Sequence, residues 1–403
     1  MAPASKSRGG GRRGRERGYD APAMVVLVTG FPTSFLATRV VRKLLAEDPD
    51  LEVRCVVPSR FLERAEQVRA SLAPDARPRL TVLEGDVTAL DMGLSGAEYT
   101  ALAREVTRIH HCAAATYLGV DRAAAERLNV GGARELLELA DDAHHRASGQ
   151  TRFDRLVHWS SALVAGSRRG IVREDELVRS GFRNAVEETR HAGEELVRRA
   201  MKRGLPVTVL RPSILVGDSK TGEIDRLEGP YLLILLMLST PIDLRVPLPG
   251  RGDVPLNLVP IDYVVDAGCA IAADARSVGR TFHLVDPRPA TARAVFERIA
   301  RALGRPAPRG SLPAQLATAV LRTPGLERLA HVPRAFLEQL AVEVAYDDRN
   351  TRELLAGKGI RCPAFEQYVD VMVDYVRAQQ VKERPQEAAT EAATLDEVSD
   401  PLG

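Results

Sequence analysis

The sequence predicts an α/β fold in which helices cover both faces of a doubly wound parallel sheet. Seven short runs rich in β-branched residues alternate with amphipathic helical stretches between residues 24 and 285, and this alternation is typical of parallel sheets. The alternation lapses at residues 217–255 and 286–378, where apolar helical stretches and prolines take over. A smaller, mainly helical C-terminal lobe is therefore expected. With 403 residues, 45% of them apolar, the chain can bury both parts.

The strands of the sheet follow from these runs. Each run has the length of a strand. In chain order the predicted strands are residues 24–29, 53–57, 80–84, 108–112, 155–160, 206–211 and 281–285.

Composition and charge exclude several classes of protein. The 56 basic and 54 acidic residues give a net charge of only +2, so neither nucleic acid nor an anionic membrane is expected as a partner of the folded part. The longest apolar run, 231–238, is too short for a membrane span, and the N-terminus lacks the apolar core of a signal peptide. Four cysteines lie far apart without metal-ligand spacing. We therefore expect a cytoplasmic protein with buried thiols and no metal site.

The stretch VLVTGFPTSFLATRVVRKLL joins the first predicted strand to a helix. A strand, a glycine turn and a helix N-terminus together bind the pyrophosphate of a dinucleotide in Rossmann sheets. Gly30 would make the turn, and Thr33 and Ser34 would offer hydroxyls and amides. The usual second glycine is replaced, Ala37 stands at the third glycine position, and one extra residue lies before Phe35. A tight turn that binds nothing is the alternative.

Residues at the ends of the second, third and fourth strands indicate which nucleotide the fold would bind. Asp86, in EGDVT, is a suitable acceptor for an adenine amino group, and the small residues Ala113 and Ala114 would let a cofactor lie close to the fourth strand. A free ribose 2′-hydroxyl usually meets an acid after the second strand, whereas a 2′-phosphate prefers arginine. Here the second strand runs into VVPSR, with Arg60 and no acid. This pattern favours NADP, with NAD as the alternative.

Eight motifs follow one another in a fixed order: VTGFPTSFLA, EGDVT, HHCAAAT, NVGGARELLELA, HWSSALVAG, NAVEETR, LRPSILVGDSKTGE and VPIDYVVDA. This series resembles the extended short-chain dehydrogenase/reductase superfamily, and within it the branch of fatty acyl-CoA reductases and thioester reductase domains, over residues 24–290. The resemblance implies an NADP(H)-dependent reductase of an acyl thioester or related carbonyl with an apolar chain. It implies cofactor contacts at Thr29, Gly30, Thr33, Ser34, Phe35, Leu36, Arg60, Asp86, Val87, Ala113, Ala114, Arg190, Pro212 and Ser213.

The catalytic positions that the resemblance implies are Ser161, Val186 and Arg190. In that family a serine or threonine after the fifth strand hydrogen-bonds the substrate carbonyl, and this position is Ser161. A Tyr-x-x-x-Lys pair supplies the proton, since the lysine lowers the tyrosine pKa. In NAVEETR the tyrosine position holds Val186 and the lysine position holds Arg190. The loss of a positioned general acid typically costs about 10² to 10⁴ in rate.

Three interpretations follow from this substitution. In the first, the protein is a reductase in which Ser161 polarises the carbonyl and Arg190 or a bound water replaces the acid. In the second, it is a nucleotide-binding module, a redox sensor or a ligand-binding protein, that has lost its chemistry. In the third, a distant hydroxyl such as that of Tyr117 or Tyr231 reaches the site.

The domain organisation expected from the sequence has four parts. They are a disordered basic tail at 1–22, an NAD(P)-binding Rossmann domain at 24–285, a helical substrate lobe at 286–378 to which 217–255 also contributes, and a disordered acidic tail at 379–403. The apolar run that begins at Gly229 could line an acyl channel, pack within the lobe or form a dimer surface. A homodimer is therefore a further expectation.

Overall fold

The computed structural model describes residues 24–117, 119–146, 153–239, 248–249, 252–308, 310–312 and 343–381. The predicted tails at 1–22 and 379–403 lie outside the described residues, except for 379–381, which end the last helix.

A seven-stranded parallel sheet forms the centre of the fold. Its spatial order is β11-β7-β5-β4-β1-β2-β3, with β1 Val25–Thr29, β2 Glu52–Val57, β3 Leu80–Glu84, β4 Val106–His111, β5 Arg155–Trp159, β7 Val207–Pro212 and β11 Arg280–Leu284. Every run predicted as a strand lies in this sheet, so the predicted fold class is confirmed. The strand order reverses between β1 and β4, and ligands of such sheets bind at the carboxyl ends of the strands at this switch point.

Helices and short strand pairs surround the sheet. Two-stranded pairs are formed by β6 (Gly170–Val172) with β13 (Val344–Tyr346), β8 (Ile214–Val216) with β10 (Leu258–Pro260), and β9 (Leu248–Pro249) with β12 (Ser311–Leu312). The helices are α1 Phe35–Glu47, α2 Leu62–Ala70, α3 Gly96–Glu105, α4 Arg122–Glu126, α5 Gly132–His145, α6 Ala185–Lys202, α7 Pro230–Ser239, α8 Ile261–Ala272, α9 Ala292–Ala302, α10 Arg349–Leu355 and α11 369–381.

Two apolar layers bury the two faces of the sheet. On one face α1 and α8 share a core with the strands, and on the other face α3, α5 and α6 share a second core with them. The helices follow the 3.6-residue period of their apolar side chains: α5, for example, buries Leu136, Leu139, Ala140 and Ala143. Each fully buried leucine or valine stabilises the fold by about 1.5–3 kcal/mol.

A separate apolar core lies in the helical part of the chain. It joins α7, α9 and α11 to β8 and β10. Tyr231, Ile234 and Met237 of α7 are buried in it, which favours lobe packing over an acyl channel for this face of the helix. Leu354 and Leu355 of α10 join the core of the main sheet instead. The division into domains stays a prediction.

None of the helices in the described part of the chain is both long enough and apolar enough to cross a bilayer.

Candidate active site

The turn after β1 is built around Gly30. Its φ is +90°, and a Cβ on this residue would lie 2.9 Å from the backbone nitrogen of Ala113. Both the left-handed conformation and the close approach therefore require glycine. Thr33 donates its hydroxyl proton to the Gly30 carbonyl (3.3 Å), and Ser34 caps α1 by accepting from the Ala37 amide (3.2 Å).

Helix α1 begins with Phe35 and Leu36, and its N-terminus lies at the carboxyl end of β1. The first amides of a helix have no intrahelical acceptor, so the amides of these two residues are the ones expected to meet a pyrophosphate. The tight Gly30 turn and the small side chain of Ala113 beside it fit the close approach of a dinucleotide to the backbone.

Thr29, next to this turn, links the end of β1 to the end of β4 by hydrogen bonds. Its fully buried hydroxyl accepts a hydrogen bond from the Ala113 amide (3.2 Å) and bonds Nδ1 of His111 (2.8 Å). The Thr29 hydroxyl thus has both of its partners within the protein. We therefore expect the backbone of Thr29, rather than its hydroxyl, to contact a cofactor.

Asp86 follows β3 and is half-buried. Its Oδ1 accepts from both the amide (2.9 Å) and the hydroxyl (2.8 Å) of Thr88, which fixes the orientation of the carboxylate. The next residue, Val87, is buried in the same core as Ala113. Thr88 was not predicted from the sequence, although an acid followed two residues later by threonine is a typical Asx-type turn.

The end of β2 carries Arg60 on an exposed turn. Its guanidinium lies 4.8 Å from the centroid of the Phe61 ring. The preceding residue, Ser59, donates its hydroxyl proton to Glu84 at the end of β3. The sequence predicted no acid near Arg60, because this carboxylate belongs to the neighbouring strand, where Glu84 pairs with Val57.

Ser161 follows β5 and is buried, with 7% of its surface exposed. Its Oγ accepts a hydrogen bond from the Leu163 amide (3.2 Å) and caps the short helical turn Ala162–Ala165. Val186 lies in the first turn of α6 and is 2% exposed. Asn184 caps this helix by accepting from the Glu187 amide (3.0 Å), so the chain holds Val186 on an ordered helical turn.

Two contacts bring α6 to the ends of β4 and β5. Arg190 donates from Nη1 to the carbonyl of Trp159 (3.2 Å), two residues before Ser161. Asn129 accepts from the Ala115 amide (2.8 Å) and donates to Thr189 Oγ1 (2.8 Å). The structure thus brings together the Gly30 turn, the end of β4, the Ser161 turn and α6. Asn129 was missed by sequence reasoning, although it lies in the motif NVGG.

The environment of Arg190 is largely desolvated. Burial lowers the pKa of its guanidinium to about 10, and the charge of Glu194 opposes this shift. At neutral pH the side chain is a cation. Nearby, the rings of His111 and His158 stack on each other with their centroids 5.4 Å apart. Burial lowers the pKa of His158 to about 4. This lowered pKa leaves His158 neutral near pH 7.

Glu194 lies one helical turn after Arg190 and is fully buried. It accepts from Ser160 Oγ (2.6 Å), Arg211 Nη2 (2.6 Å) and Arg198 Nε (2.7 Å). Burial alone would raise the pKa of its carboxyl, but Arg211 holds it below its ordinary range. This residue was not predicted. A glutamate within the apolar stripe of an amphipathic helix is the signal that could have found it.

Three remaining predicted positions differ in what their side chains do. The Tyr231 hydroxyl accepts from the Gly217 amide (2.9 Å) and donates to the Gly222 carbonyl (3.2 Å), so it is committed to a loop. The Ser213 hydroxyl donates to the Asn257 carbonyl (2.9 Å), directly after Pro212 ends β7. Tyr117 is half-buried at the start of the loop that leads to α4.

Comparison with known proteins identifies the family of the chain. Residues 28–268 match the NAD-binding family described as Male sterility protein. The glycine betaine reductase ATRR of Emericella nidulans is 28% identical over 302 residues, which are 70% of this chain and 22% of that protein. The fatty acyl-CoA reductase wat of Drosophila melanogaster is 26% identical over 230 residues, which are 50% of this chain and 42% of that protein. The chain thus spans less than half the length of either relative.

A solved structure supports the same assignment. The terminal R domain from the myxalamid PKS-NRPS biosynthetic pathway matches 90% of this chain and 92% of its own, with a TM-score of 0.74 and 27% identity. The resemblance predicted from the ordered motifs is therefore confirmed, and the cofactor is a nicotinamide dinucleotide. The chain belongs to the NAD-binding family of male sterility proteins, within the thioester-reductase branch of the extended short-chain dehydrogenases/reductases.

Proposed function

We propose that the protein is an NADP(H)-dependent reductase of an acyl thioester or a related carbonyl compound with an apolar chain. The observation that carries the proposal is the hydrogen bond from the cationic Arg190 to the carbonyl of Trp159. It holds a positive charge at the end of β5, where the Ser161 turn begins.

The residues of this chain would act on the carbonyl oxygen. When bound, the nicotinamide supplies a hydride to the carbonyl carbon, and a negative charge then develops on the oxygen. The Ser161 hydroxyl would hydrogen-bond that oxygen, and the Arg190 guanidinium would stabilise the charge. One donor aimed at such an oxygen is worth about 10²–10³ in rate.

The proton would come from water. Val186 has no acidic proton to donate, and the Tyr231 hydroxyl is hydrogen-bonded to Gly217 and Gly222. For an aldehyde, hydride and proton together give the alcohol. For a thioester, the thiolate leaves with the electrons of the carbon–sulfur bond and takes up the proton, which leaves an aldehyde and a thiol. We expect turnover to be slower than with a tyrosine acid by about 10²–10⁴.

Two groups of residues would hold the cofactor. The Gly30 turn, the first amides of α1 and Ala113 would accommodate the pyrophosphate, and Asp86 would accept from the adenine. The exposed cation Arg60 favours NADP over NAD, since its forked donors suit a 2′-phosphate. A homodimer and a cytoplasmic location remain predictions from the sequence.

The test combines binding with turnover. Purified protein is titrated with NADPH and NADH by nicotinamide fluorescence, and then mixed with acyl-CoA thioesters and aldehydes of increasing chain length while absorbance is followed. Saturable binding with turnover that Ser161→Ala abolishes supports the reductase. Ser180→Ala is the control, because this serine contacts the neighbouring Ala165 carbonyl but has no proposed role. Tight binding without turnover of any carbonyl would instead favour the nucleotide-binding module.

A further inference from the structure

The buried carboxylate of Glu194 links three parts of the proposed site. It lies on α6 four residues after Arg190, its Oε2 accepts from Ser160 directly before Ser161, and its Oε1 accepts from Arg211 on β7. Because the carboxylate is fully buried, water does not compete for these hydrogen bonds, and they restrict the positions of the groups that they join.

The charges around Arg190 distinguish Glu194 from its other neighbours. Four described groups act on the guanidinium: His111 of β4, Cys112 directly after this strand, His158 of β5 and Glu194 of α6. Burial lowers the pKa of both histidines and raises the pKa of the Cys112 thiol. All three are therefore neutral near pH 7. Among these four groups, Glu194 is the one that carries a counter-charge.

The same carboxylate is shared among several cations. Arg198 and Arg211 bond it directly, and Arg190 lies one turn away on the same helix. Arg190 keeps its positive charge beside this carboxylate, and that charge would favour the negative charge that develops on a carbonyl oxygen during hydride addition.

We propose that Glu194 is a positioning residue: it holds the Ser160–Ser161 turn through its hydrogen bond with Ser160 and supplies the counter-charge to Arg190, one helical turn away, in the arrangement that receives the substrate carbonyl. This inference rests on the proposed reductase function. Glu194 touches neither substrate nor cofactor; it acts through Ser160 and Arg190.

The chain offers a matched control on the same helix. Glu187 is also fully buried on α6, and it binds Arg183 and Asn184 instead of the residues of the site. Glu187→Gln and Glu194→Gln therefore remove similar buried charges, each paired with an arginine four residues away in the chain. A purely structural role for Glu194 predicts the same changes in both variants.

The experiment compares the wild type, Glu194→Gln, Glu187→Gln and Ser160→Ala. We expect Glu194→Gln to lower kcat about 10²-fold with little change in dinucleotide affinity, since small displacements of reacting groups have effects of that size. Glu187→Gln should lower the melting temperature but keep kcat. Ser160→Ala removes one hydroxyl alone, so it reports on the turn even if Glu194→Gln fails to fold, and we expect it to lower kcat as well.

A second readout needs neither cofactor nor turnover. The side-chain Nε–H signal of Arg190 is followed by ¹⁵N NMR in the cofactor-free protein and assigned through Arg190→Lys. Glu194→Gln should broaden or shift this signal, whereas Glu187→Gln should not. An unchanged signal together with unchanged kcat in Ser160→Ala would overturn the inference. A wild type that orders Arg190 through Glu194 but reduces no carbonyl would contradict the proposed function while leaving the positioning role intact.

Discussion

Arg190 of α6 donates a hydrogen bond to the carbonyl of Trp159, the last residue of β5 (3.2 Å). The contact links a half-buried cation to the strand that leads into Ser161. In a site that holds Val186 where a tyrosine is expected, this cation provides positive charge near the proposed position of the carbonyl.

The first prediction concerns Arg190 itself. Arg190→Ala should lower kcat about 10²–10³-fold, because the developing oxyanion loses its cation. Arg190→Lys should keep part of the rate, since an ammonium restores the charge but not the forked geometry. Steady-state kinetics with NADPH and the best carbonyl substrate provide the measurement. Equal activity of the alanine variant and the wild type would contradict the assigned role.

The second prediction tests the Gly30 turn. Gly30→Ala should destabilise the fold by more than about 1 kcal/mol and weaken dinucleotide binding, because the new Cβ would lie 2.9 Å from the Ala113 nitrogen. Gly279→Ala is the control. Gly279 also has a positive φ, of +77°, but a Cβ there would meet open space, so this variant isolates the backbone strain. Urea unfolding measures the loss of stability, and fluorescence titration measures the loss of dinucleotide binding. Similar losses in Gly30→Ala and Gly279→Ala would contradict the argument from close approach.

The third prediction concerns cofactor choice. Arg60→Ala should weaken NADPH binding more than NADH binding, since only NADPH carries a 2′-phosphate. Glu84→Gln should strengthen NADPH binding, because a carboxylate held by Ser59 beside Arg60 opposes an added phosphate charge. The ratio of the two dissociation constants, measured at fixed salt, is the readout. Glu63→Gln, on an exposed position of α2, is the control; an unchanged ratio in Arg60→Ala would exclude Arg60 as the determinant.

The sheet could be predicted from the sequence because its signals are local. Each strand is a short apolar run, and the glycine turn at Gly30 lies between a strand and a helix that are adjacent in the chain. The contacts of the site are not local in this sense. Thr29 meets His111 across 82 positions and Asn129 meets Thr189 across 60. A single sequence shows that these side chains are polar, but not which polar partner the packing brings to them.

The fourth prediction is a pH dependence of stability. The pKa of His158 is lowered from 6.5 to about 4 by burial in the fold. Between these pH values the unfolded chain binds more protons than the folded one, so the stability present above pH 6.5 is lost as the pH falls towards 4. His158→Asn should therefore show a weaker loss of unfolding free energy between pH 7 and pH 4 than the wild type.

The control for this pH dependence is His145→Gln. His145 is largely exposed at the end of α5, so its removal should leave the wild-type slope. Urea unfolding at several pH values provides the free energies. An equal change of unfolding free energy with pH in the wild type, His158→Asn and His145→Gln would contradict the lowered pKa of His158.

The last prediction restores the missing acid. The double variant Val186→Tyr with Arg190→Lys should raise kcat about 10²–10⁴-fold if the site otherwise retains its geometry, because a positioned phenol would then donate the proton. Val186 is 2% exposed, so the larger ring should also cost about 1–3 kcal/mol of stability through overpacking. Kinetics and thermal melts are compared with those of Val186→Phe with Arg190→Lys, which adds the ring without the hydroxyl. A rate gain in Val186→Tyr with Arg190→Lys that is absent in Val186→Phe with Arg190→Lys assigns the effect to the phenol. If neither variant gains activity although both fold and bind dinucleotide, then residue 186 does not face the substrate carbonyl, and the helix is packed differently at this position than the reductase proposal requires.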